Sequence, residues 1–317
     1  MYGKLDFLHA AFGIVPPELD GFESTADSPA FNIDSSINAF FLLQSCLRKD
    51  TYLYQGSLAD GSRKAKRVHA NTFLNMTFNV PNKNEQDQIT DLLETLSKLI
   101  TAYEQKLTLL KQKKQYFLQA IFSQKLRFKG FTGPWEQHKF ADLYRRKNQK
   151  NDLTYRGDKI ISVANMYFKE PDNSASDSYL RTYNVFEIGD IAFEGNANKY
   201  YSHGRFVENT IGNGIVSHVF DVFKPISKEH DLLYWKYFIN CESAMRKVLI
   251  RSTKSSTMMT NLVASDFLKE HVAVPSLEEQ SKIGRFLKNT DDLIDAYEQK
   301  LTLLKQKKQY FLQNLFI

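Results

Sequence analysis

The sequence predicts an α/β (α+β) protein in which two globular domains, the first of them partial, are joined by long antiparallel coiled-coil helices. Three observations predict this fold class. One stretch of the chain is repeated, each copy ends in a long uninterrupted helical pattern, and the segments before those helices mix short β-rich runs with helical ones. The length of 317 residues corresponds to about two domains of ordinary size.

An internal duplication organises the chain. The 18-residue segment AYEQKLTLLKQKKQYFLQ occupies positions 102–119 and recurs unchanged at positions 296–313, an offset of 194 residues. The same offset relates shorter upstream matches: Phe73-Leu74 to Phe267-Leu268, Val80-Pro81 to Val274-Pro275, and Glu85-Gln86 to Glu279-Gln280. Identity of this length in one register indicates that the chain contains two copies of one unit.

Two long helices are predicted, over residues 83–128 and 276–317. Their apolar side chains recur at steps of four and three, the spacing of a coiled-coil seam, which Lys114 interrupts in the first helix and Thr290 and Lys308 in the second. Matching seams predict that the helices pack on each other, and the globular segments between them favour an antiparallel pair. The seam residues are Ile89, Leu93, Leu96, Ile100, Tyr103, Leu107, Leu110 and Phe117, followed by Ile283, Leu287, Ile294, Tyr297, Leu301, Leu304 and Phe311.

The globular segments span residues 1–82 and 134–275. In the second, short β-rich runs bounded by Gly, Asn and Asp predict strands over 159–163, 188–193 and 215–223, and a helix is predicted over 232–249. The first segment is shorter and fits only the second half of that pattern. Its counterpart helix is predicted over 36–47 and its last strand over 72–80.

The composition is that of an ordinary globular chain. Lysine and arginine number 42 against 36 aspartate and glutamate residues, and the net charge of +6 is a mild lean towards polyanions. No run approaches the ~18 apolar residues of a membrane span and no apolar leader follows Met1, so we expect a cytoplasmic protein with no membrane partner. We interpret Cys46 and Cys241 as buried small hydrophobes.

Three motifs resemble one family. Residues 265–268 (SDFL) and 274–283 (VPSLEEQSKI) are similar to the exit from a recognition domain into its spacer helix in the DNA-specificity (S) subunit of type I restriction-modification systems. Residues 73–89 repeat this motif as FL, VP and EQDQI, and residues 126–135 (LRFKGFTGPW) resemble the family's linker into the second recognition domain. The resemblance covers essentially the whole chain.

The resemblance implies two target-recognition domains, 1–82 and 134–275, each reading one half of a bipartite DNA site. The spacer helices 83–128 and 276–317 would hold them apart, since a helix of ~38 residues is ~57 Å long and exceeds one turn of DNA. About 80 residues precede Pro81, against about 140 in the second domain. We therefore expect the first domain to lack its N-terminal half, either by natural truncation or as a product of recombination between the identical helix segments.

The resemblance also implies the partners. These are double-stranded DNA, methyltransferase (M) subunits and restriction (R) subunits, and the catalytic activities would belong to the partner subunits. S-adenosylmethionine, ATP and Mg would bind those subunits, and no cofactor or metal is expected in this chain. A homodimer, in which two truncated chains rebuild a two-domain reader, stays open.

Three polar clusters in residues 134–275 are candidates for DNA contacts, because base reading needs forked hydrogen-bonding side chains and phosphate binding needs cations. We expect the first cluster mainly to hold phosphates and the other two to contact bases. In order, the clusters are Arg145, Arg146, Lys147, Lys150, Arg156 and Lys159; Asn196, Asn198, Lys199, Tyr200, Tyr201, Ser202, His203 and Arg205; and Arg251, Ser252, Thr253, Lys254 and Ser255. The stretch Gln55–Arg67 resembles the third cluster.

Each cluster also has a structural interpretation. The run Arg145–Lys150 could be a solvated face, Tyr200 and Tyr201 could be core aromatics, and the loop that begins at Arg251 could be a plain connector. His203 and His218 have no Cys, His or Asp partner at a ligand spacing, so we do not expect them to hold a metal.

The sequence carries no catalytic motif that we recognise: no GxxxxGK[ST] loop, no HExxH, no GxSxG elbow and no Asn/Asp-Pro-Pro-Tyr segment. We therefore expect a non-catalytic specificity subunit. The alternatives are a half-sited or silent form that acts as a dimer, a coiled-coil scaffold without DNA preference, and a stand-alone enzyme.

Overall fold

The computed structural model describes residues 1–57, 67–171, 176–196, 198, 200–227, 230–255 and 260–316. The chain divides into two compact units, one made of Met1–Thr108 with Asp295–Ile317 and the other of Leu109–Ile294. The boundary crosses both long helices, so each unit contains part of the helix pair and one globular part. The mixed helix and sheet composition predicted from the sequence is confirmed.

The globular part of the first unit is helical. Two 3₁₀ turns, Phe7–His9 and Pro17–Leu19, precede helices α1 (Ala39–Cys46), α2 (Lys49–Ser57) and α3 (Ala70–Leu74), and the long helix α4 (Lys83–Phe122) follows. Helix α1 confirms the helix predicted over 36–47. It begins at Ala39 because the Asn38 side chain accepts hydrogen bonds from the amides of Phe40 and Phe41. Cys46 is buried in α1, as predicted.

The second unit contains the sheets. Its strands are β1 (Glu136–Lys139), β2 (Tyr144–Lys147), β3 (Ile161–Ser162), β4 (Tyr167–Phe168), β5 (Asn184–Phe186), β6 (Ile191–Glu194), β7 (Arg205–Glu208), β8 (Gly214–Val216), β9 (Val222–Pro225), β10 (Thr253–Ser255), β11 (Thr260–Leu262) and β12 (His271–Val274). Four form an antiparallel sheet in the order β2-β9-β6-β7, and the others pair as β1-β12, β3-β4, β5-β8 and β10-β11. Strands β3 and β6 confirm two predicted strands. The strand predicted over 215–223 is instead two strands, because residues 217–221 turn between β8 and β9.

Most helices of the second unit share one hydrophobic core with this sheet. The helices are α5 (Phe140–Leu143), α6 (Asp177–Leu180), α7 (Leu232–Ile239), α8 (Glu242–Ser252), α9 (Ala264–Lys269) and the first part of α10 (Leu277–Asn314), with a 3₁₀ turn at Gly157–Lys159. The single helix predicted over 232–249 is wrong, since it is two helices. The chain turns at Asn240, whose side chain is held by tertiary hydrogen bonds: its amide donates to the Phe206 carbonyl and its oxygen accepts from the Tyr201 hydroxyl.

Aromatic side chains fill the core of the second unit. The ring of Phe267 in α9 lies 4.4 Å from that of Phe206 and 4.5 Å from that of Phe140, measured between centroids. Trp235 on α7 is fully buried among the same residues. Cys241 is buried here too, which confirms that prediction. Burial of such large rings is the main favourable contribution to folding of this unit.

The two long helices are antiparallel in each unit. In the first unit Leu93 clusters with Phe316, and the ring of Tyr103 lies 5.2 Å from that of Tyr297. In the second unit the ring of Phe117 lies 5.0 Å from that of Phe286. Every predicted seam residue, from Ile89 to Phe117 and from Ile283 to Phe311, is buried or half-buried.

Lys114, the predicted interruption of the first seam, has a specific partner. Its Nζ lies 2.5 Å from Asp291 Oδ1 on α10 and 5.6 Å from the centroid of the Tyr237 ring on α7. Asp291 also accepts a hydrogen bond of 2.7 Å from the Tyr237 hydroxyl. The polar position is therefore occupied by an ion pair between the two helices.

The duplication is visible in the hydrogen bonds of one buried glutamine in each copy. Gln86 and Gln280 are both 1% exposed. The amide of each donates to the carbonyl of the proline five residues before it, at 2.9 Å for Gln86 and 3.0 Å for Gln280. The oxygen of each accepts from the backbone amide of a residue that caps a helix, Asn38 for α1 and Asp231 for α7. Each glutamine thereby links the start of a long helix to the start of a helix in the globular part of its repeat.

The strand predicted over 72–80 is wrong. Residues 70–74 form α3, the counterpart of α9, and residues 76–80 have no regular secondary structure. Their counterpart is β12, which forms a ladder with β1. In the described part of the chain no strand pairs with residues 77–80, and a segment without a partner has no ladder of hydrogen bonds to make it a strand.

Glu208 and His230 form a buried pair beside α7. Glu208 Oε1 lies 3.2 Å from His230 Nε2, and the side chains are 0% and 9% exposed. Burial raises the pKa of Glu208 well above its usual value and lowers the pKa of His230 to about 4. Among the described residues, nothing donates a hydrogen bond to Glu208 Oε2. The interior therefore disfavours the charged form of both groups.

We expect the Glu208→Gln variant to gain stability over the wild type as the pH rises. Above about pH 4.3 the unfolded chain releases the Glu208 proton that the folded chain retains, so wild-type stability falls with pH, whereas glutamine has no proton to lose. Urea unfolding of both proteins at pH 5, 7 and 8.5 measures the difference. Glu136→Gln, at a carboxylate that is 82% exposed, is the control and should show no such trend. If the difference in unfolding free energy between Glu208→Gln and the wild type did not change with pH, the prediction would be contradicted.

Candidate nucleic-acid interface

One end of the four-stranded sheet brings several strand termini together. Lys147 at the end of β2 pairs with Val222 at the start of β9, and Val222 also pairs with Ala192 of β6. Glu194 at the end of β6 pairs with Arg205 at the start of β7. The loop of residues 195–204, which contains most of the second predicted cluster, therefore leaves the sheet at the same end as β2.

The 195–204 loop is fastened by its own side chains. Asn198 Oδ1 accepts hydrogen bonds from the amides of Tyr200 (2.8 Å) and Tyr201 (3.1 Å). The Tyr201 hydroxyl donates to Asn240 Oδ1 at 2.6 Å, and the Ser202 hydroxyl donates to Glu242 Oε1 at 3.2 Å. Tyr201 is half-buried and anchors the loop, whereas Tyr200 is 67% exposed. Neither tyrosine is therefore a core residue.

Arg205 closes the loop as a structural cation. Its Nε donates to Glu194 Oε2 at 2.7 Å, and its guanidinium lies 4.8 Å from the centroid of the Tyr201 ring. Burial is the largest single influence and opposes the charge, but the hydrogen bonds and charge interactions with Glu194 and Tyr201 together outweigh it and raise the pKa of Arg205. Asn196 is exposed and His203 is half-buried. Lys199 lies outside the described residues.

The third cluster begins a β-hairpin that contacts this loop. Strand β11 follows β10 in antiparallel pairing, and the amide of Thr260 donates to the Gly195 carbonyl at 2.9 Å. A Cβ at Gly195 would lie 2.1 Å from the Thr260 carbonyl oxygen, so only glycine permits this approach. The structure therefore brings the second and third clusters together, as neighbouring parts of one surface.

The members of the third cluster differ in accessibility. Lys254 is exposed on β10, whereas the Thr253 hydroxyl donates to the Leu249 carbonyl at 2.6 Å. Arg251 is bound to Glu270 through two nitrogens, and this bond raises the pKa of Arg251. The side chain of Ser255, residues 256–259 and most of the stretch 55–67 lie outside the described residues.

Two predicted DNA contacts are corrected by burial. The Lys147 side chain is 7% exposed, and its Nζ lies 2.7 Å from both Glu187 Oε2 and Asp190 Oδ2. Ser252 is fully buried, and its hydroxyl donates to the Val248 carbonyl at 2.7 Å. Both side chains hold the domain together and are withdrawn as candidates, because a buried group cannot reach a phosphate or a base edge.

The rest of the first cluster is spread over the domain. Arg146 pairs with Asp221, Arg156 pairs with Asp177, and Lys150 donates to the Thr182 carbonyl and to Asn184 Oδ1. Lys159 lies over the Phe168 ring. Arg145 is exposed on β2 and takes part in no ion pair between described residues. Whether these residues contact DNA stays a prediction.

Two exposed cations were not singled out from the sequence. Arg246 and Lys247 lie on α8, the helix that leads into β10, and both are exposed. Their position a few residues before Arg251 and the Ser/Thr-rich loop could have identified them as candidates from the sequence. Within the ranges that the structure describes, no helix is long and apolar enough to cross a membrane and no cluster of metal-ligating side chains is present.

Comparisons with known proteins give one family match and a shared fold. The model of the type I restriction modification DNA specificity domain matches residues 134–306. Among solved structures, the chain is similar to the HsdS subunit from Thermoanaerobacter tengcongensis, with 17% identity and a TM-score of 0.53 over 96% of this chain and 76% of that chain. It is also similar to the type I restriction-modification S subunit from M. genitalium, with 15% identity and a TM-score of 0.54 over 89% of this chain and 73% of that chain. No curated protein matches. At these identities the structural likeness shows the fold.

Proposed function

This chain belongs to the type I restriction modification DNA specificity family, and from that premise we propose that it reads a bipartite DNA site and positions methyltransferase and nuclease/translocase subunits on it. The family match over residues 134–306 carries the proposal, because it contains all three candidate clusters. DNA recognition is the role of this family's domain. The bipartite site and the named partners are what the resemblance to this family implies.

The accessible side chains of the second unit support two separate roles, phosphate binding and base reading. Arg145, Lys247 and Lys254 are exposed cations suited to phosphates, which fix register without reading sequence. Asn196 and Tyr200 are exposed on the 195–204 loop and can meet base edges. The loop and the adjoining hairpin are therefore the part of this unit that we assign to sequence reading.

The helix pair supports the proposed partner subunits. Each long helix exposes a leucine and a tyrosine seven residues apart: Leu109 and Tyr116 on α4 are 43% and 61% exposed, and Leu303 and Tyr310 on α10 are 44% and 61% exposed. Exposed apolar side chains of this kind suit a protein partner. We propose that methyltransferase subunits dock here and that S-adenosylmethionine, ATP and Mg are bound by partner subunits.

A methylation map tests the function. The chain is expressed with a type I methyltransferase subunit in a host without adenine methylation, and modified adenines are located by sequencing. An asymmetric bipartite motif is the expected result. A palindromic motif would show that two copies of the second unit read DNA, in a homodimer. An assembled complex with no motif would overturn the proposal and favour a scaffold.

We expect Arg145→Ala and Lys254→Ala each to weaken DNA binding to all sequences alike. Removing one phosphate contact lowers the slope of log affinity against log salt concentration by about one. Fluorescence anisotropy with cognate and random duplexes at several salt concentrations measures both effects. Lys98→Ala, at an exposed lysine of α4, is the control and should leave the slope unchanged. A loss confined to the cognate duplex would contradict the assignment to phosphates.

A further inference from the structure

The two repeats differ in what covers the start of each long helix. In the second repeat, the segment Leu126–Lys139 covers the start of α10. Arg127 binds Glu279 with two hydrogen bonds, of 2.9 and 2.7 Å. The ring of Phe128 lies 5.7 Å from that of Phe286, and Lys282 lies 4.6 Å from the centroid of the Phe131 ring. The segment then becomes β1, which pairs with β12 along four residues.

The equivalent surface of the first repeat is an open groove. It has a volume of about 620 Å³, and its lining includes Val80, Glu85, Ile89, Leu92 and Phe316. By the 194-residue offset, Glu85 corresponds to Glu279 and Leu92 corresponds to Phe286, the two residues that hold Arg127 and Phe128 in the other repeat. The groove thus contains the counterparts of the two residues that hold the covering segment in the second repeat, but no such segment lies on it in the described part of the chain.

The exposure of equivalent residues shows the difference. Glu279 is 1% exposed, whereas Glu85 is exposed and makes no ion pair with any described residue. Val274 is 5% exposed, whereas its counterpart Val80 is 43% exposed. Residues 77–80, the counterpart of β12, have no regular secondary structure and no paired strand in the described part of the chain. An acceptor for a cation, an apolar wall and a backbone segment with no strand partner therefore lie side by side.

We propose that this groove binds an extended segment of a separate polypeptide with the chemistry of Leu126–Lys139. The segment would place an arginine on Glu85, the adjoining aromatic side chain against Ile89 and Leu92, and a short strand along residues 77–80. Strand addition to an open edge supplies main-chain hydrogen bonds, and the arginine and aromatic pockets supply specificity. This inference does not depend on DNA recognition.

The test uses the full chain and a labelled synthetic peptide of residues 124–140, QKLRFKGFTGPWEQHKF. Fluorescence anisotropy should show saturable binding to one site. Hydrogen exchange should show new protection of the amides of residues 77–80, as strand addition requires. Absence of saturable binding, or protection that appears only around β12, would overturn the proposal.

A charge swap makes the test specific. Glu85→Arg should weaken binding of the peptide at least tenfold, and so should Arg127→Glu in the peptide. The two changes combined should restore binding. Asp91→Arg, at another exposed carboxylate of α4, is the matched control and should bind the peptide as the wild type does. Equal loss in both protein variants would overturn the role of Glu85, and circular dichroism verifies that each variant is folded.

Discussion

Replacing Lys147 with alanine should lower the free energy of unfolding by about 3 kcal/mol, because it removes one partner of a buried ion pair. Asp190 is 1% exposed, and Lys147 is the cation that compensates it. Burial already raises the pKa of Asp190 even with Lys147 beside it. Urea unfolding at pH 7 measures the loss. The same variant should leave the salt dependence of DNA binding unchanged, in contrast to Arg145→Ala.

Lys224→Ala is the matched control for Lys147→Ala. Lys224 Nζ lies 3.5 Å from Glu187, the carboxylate that Lys147 also contacts, but its side chain is 44% exposed. An exposed pair of this kind contributes less than about 1 kcal/mol. If Lys147→Ala were no more destabilising than Lys224→Ala, or if it reduced the salt slope, the assignment of Lys147 to the interior would be contradicted.

Arg127→Ala should destabilise the second unit by about 3–5 kcal/mol, because Glu279 would be left charged and buried without its partner. The Glu279 side chain is 2% exposed and that of Arg127 is 19% exposed. The hydrogen bond to Glu279, which outweighs partial desolvation, raises the pKa of Arg127. Thermal or urea unfolding measures the loss, and Lys125→Ala, at an exposed neighbour, should be nearly neutral.

A double-mutant cycle separates this ion pair from general damage to the linker. If the bond between Arg127 and Glu279 carries the effect, the Arg127→Ala/Glu279→Ala double variant should be less destabilised than the sum of the two single variants. Arg127→Lys should fall between the wild type and Arg127→Ala, because lysine keeps the charge and loses the two-nitrogen contact. Additive losses would mean that the two side chains act independently.

The long helices and the duplication could be predicted because their signals are local. The steps of four and three place Leu93 and Leu287 in the seam whatever surrounds them, and both are fully buried. The identity of residues 102–119 and 296–313 predicts the second helix from the first. Periodicity and repetition need no knowledge of tertiary partners.

The errors occurred where a distant partner decides the local structure. Residues 76–80 have the composition of a strand, but no strand of the described part pairs with them. The break between α7 and α8 depends on hydrogen bonds from Asn240 to residues more than 30 positions away. Lys147 was a plausible phosphate ligand until the fold placed Asp190 beside it. Accessibility of a candidate cation is a property of tertiary structure and is not encoded in a polar run.

The identical segments within α4 and α10 have a consequence for partner choice during folding. Residues 102–119 and 296–313 present the same side chains, so neither segment can be distinguished from the other by its own surface. The distinction comes from flanking positions: Lys114 meets Asp291, whereas the residue equivalent to Asp291 in the first repeat is the uncharged Ser97. A few flanking contacts therefore favour pairing of α4 with α10 over pairing of two like helices. The same contacts can form between two chains, so a high protein concentration favours exchange of helices between copies.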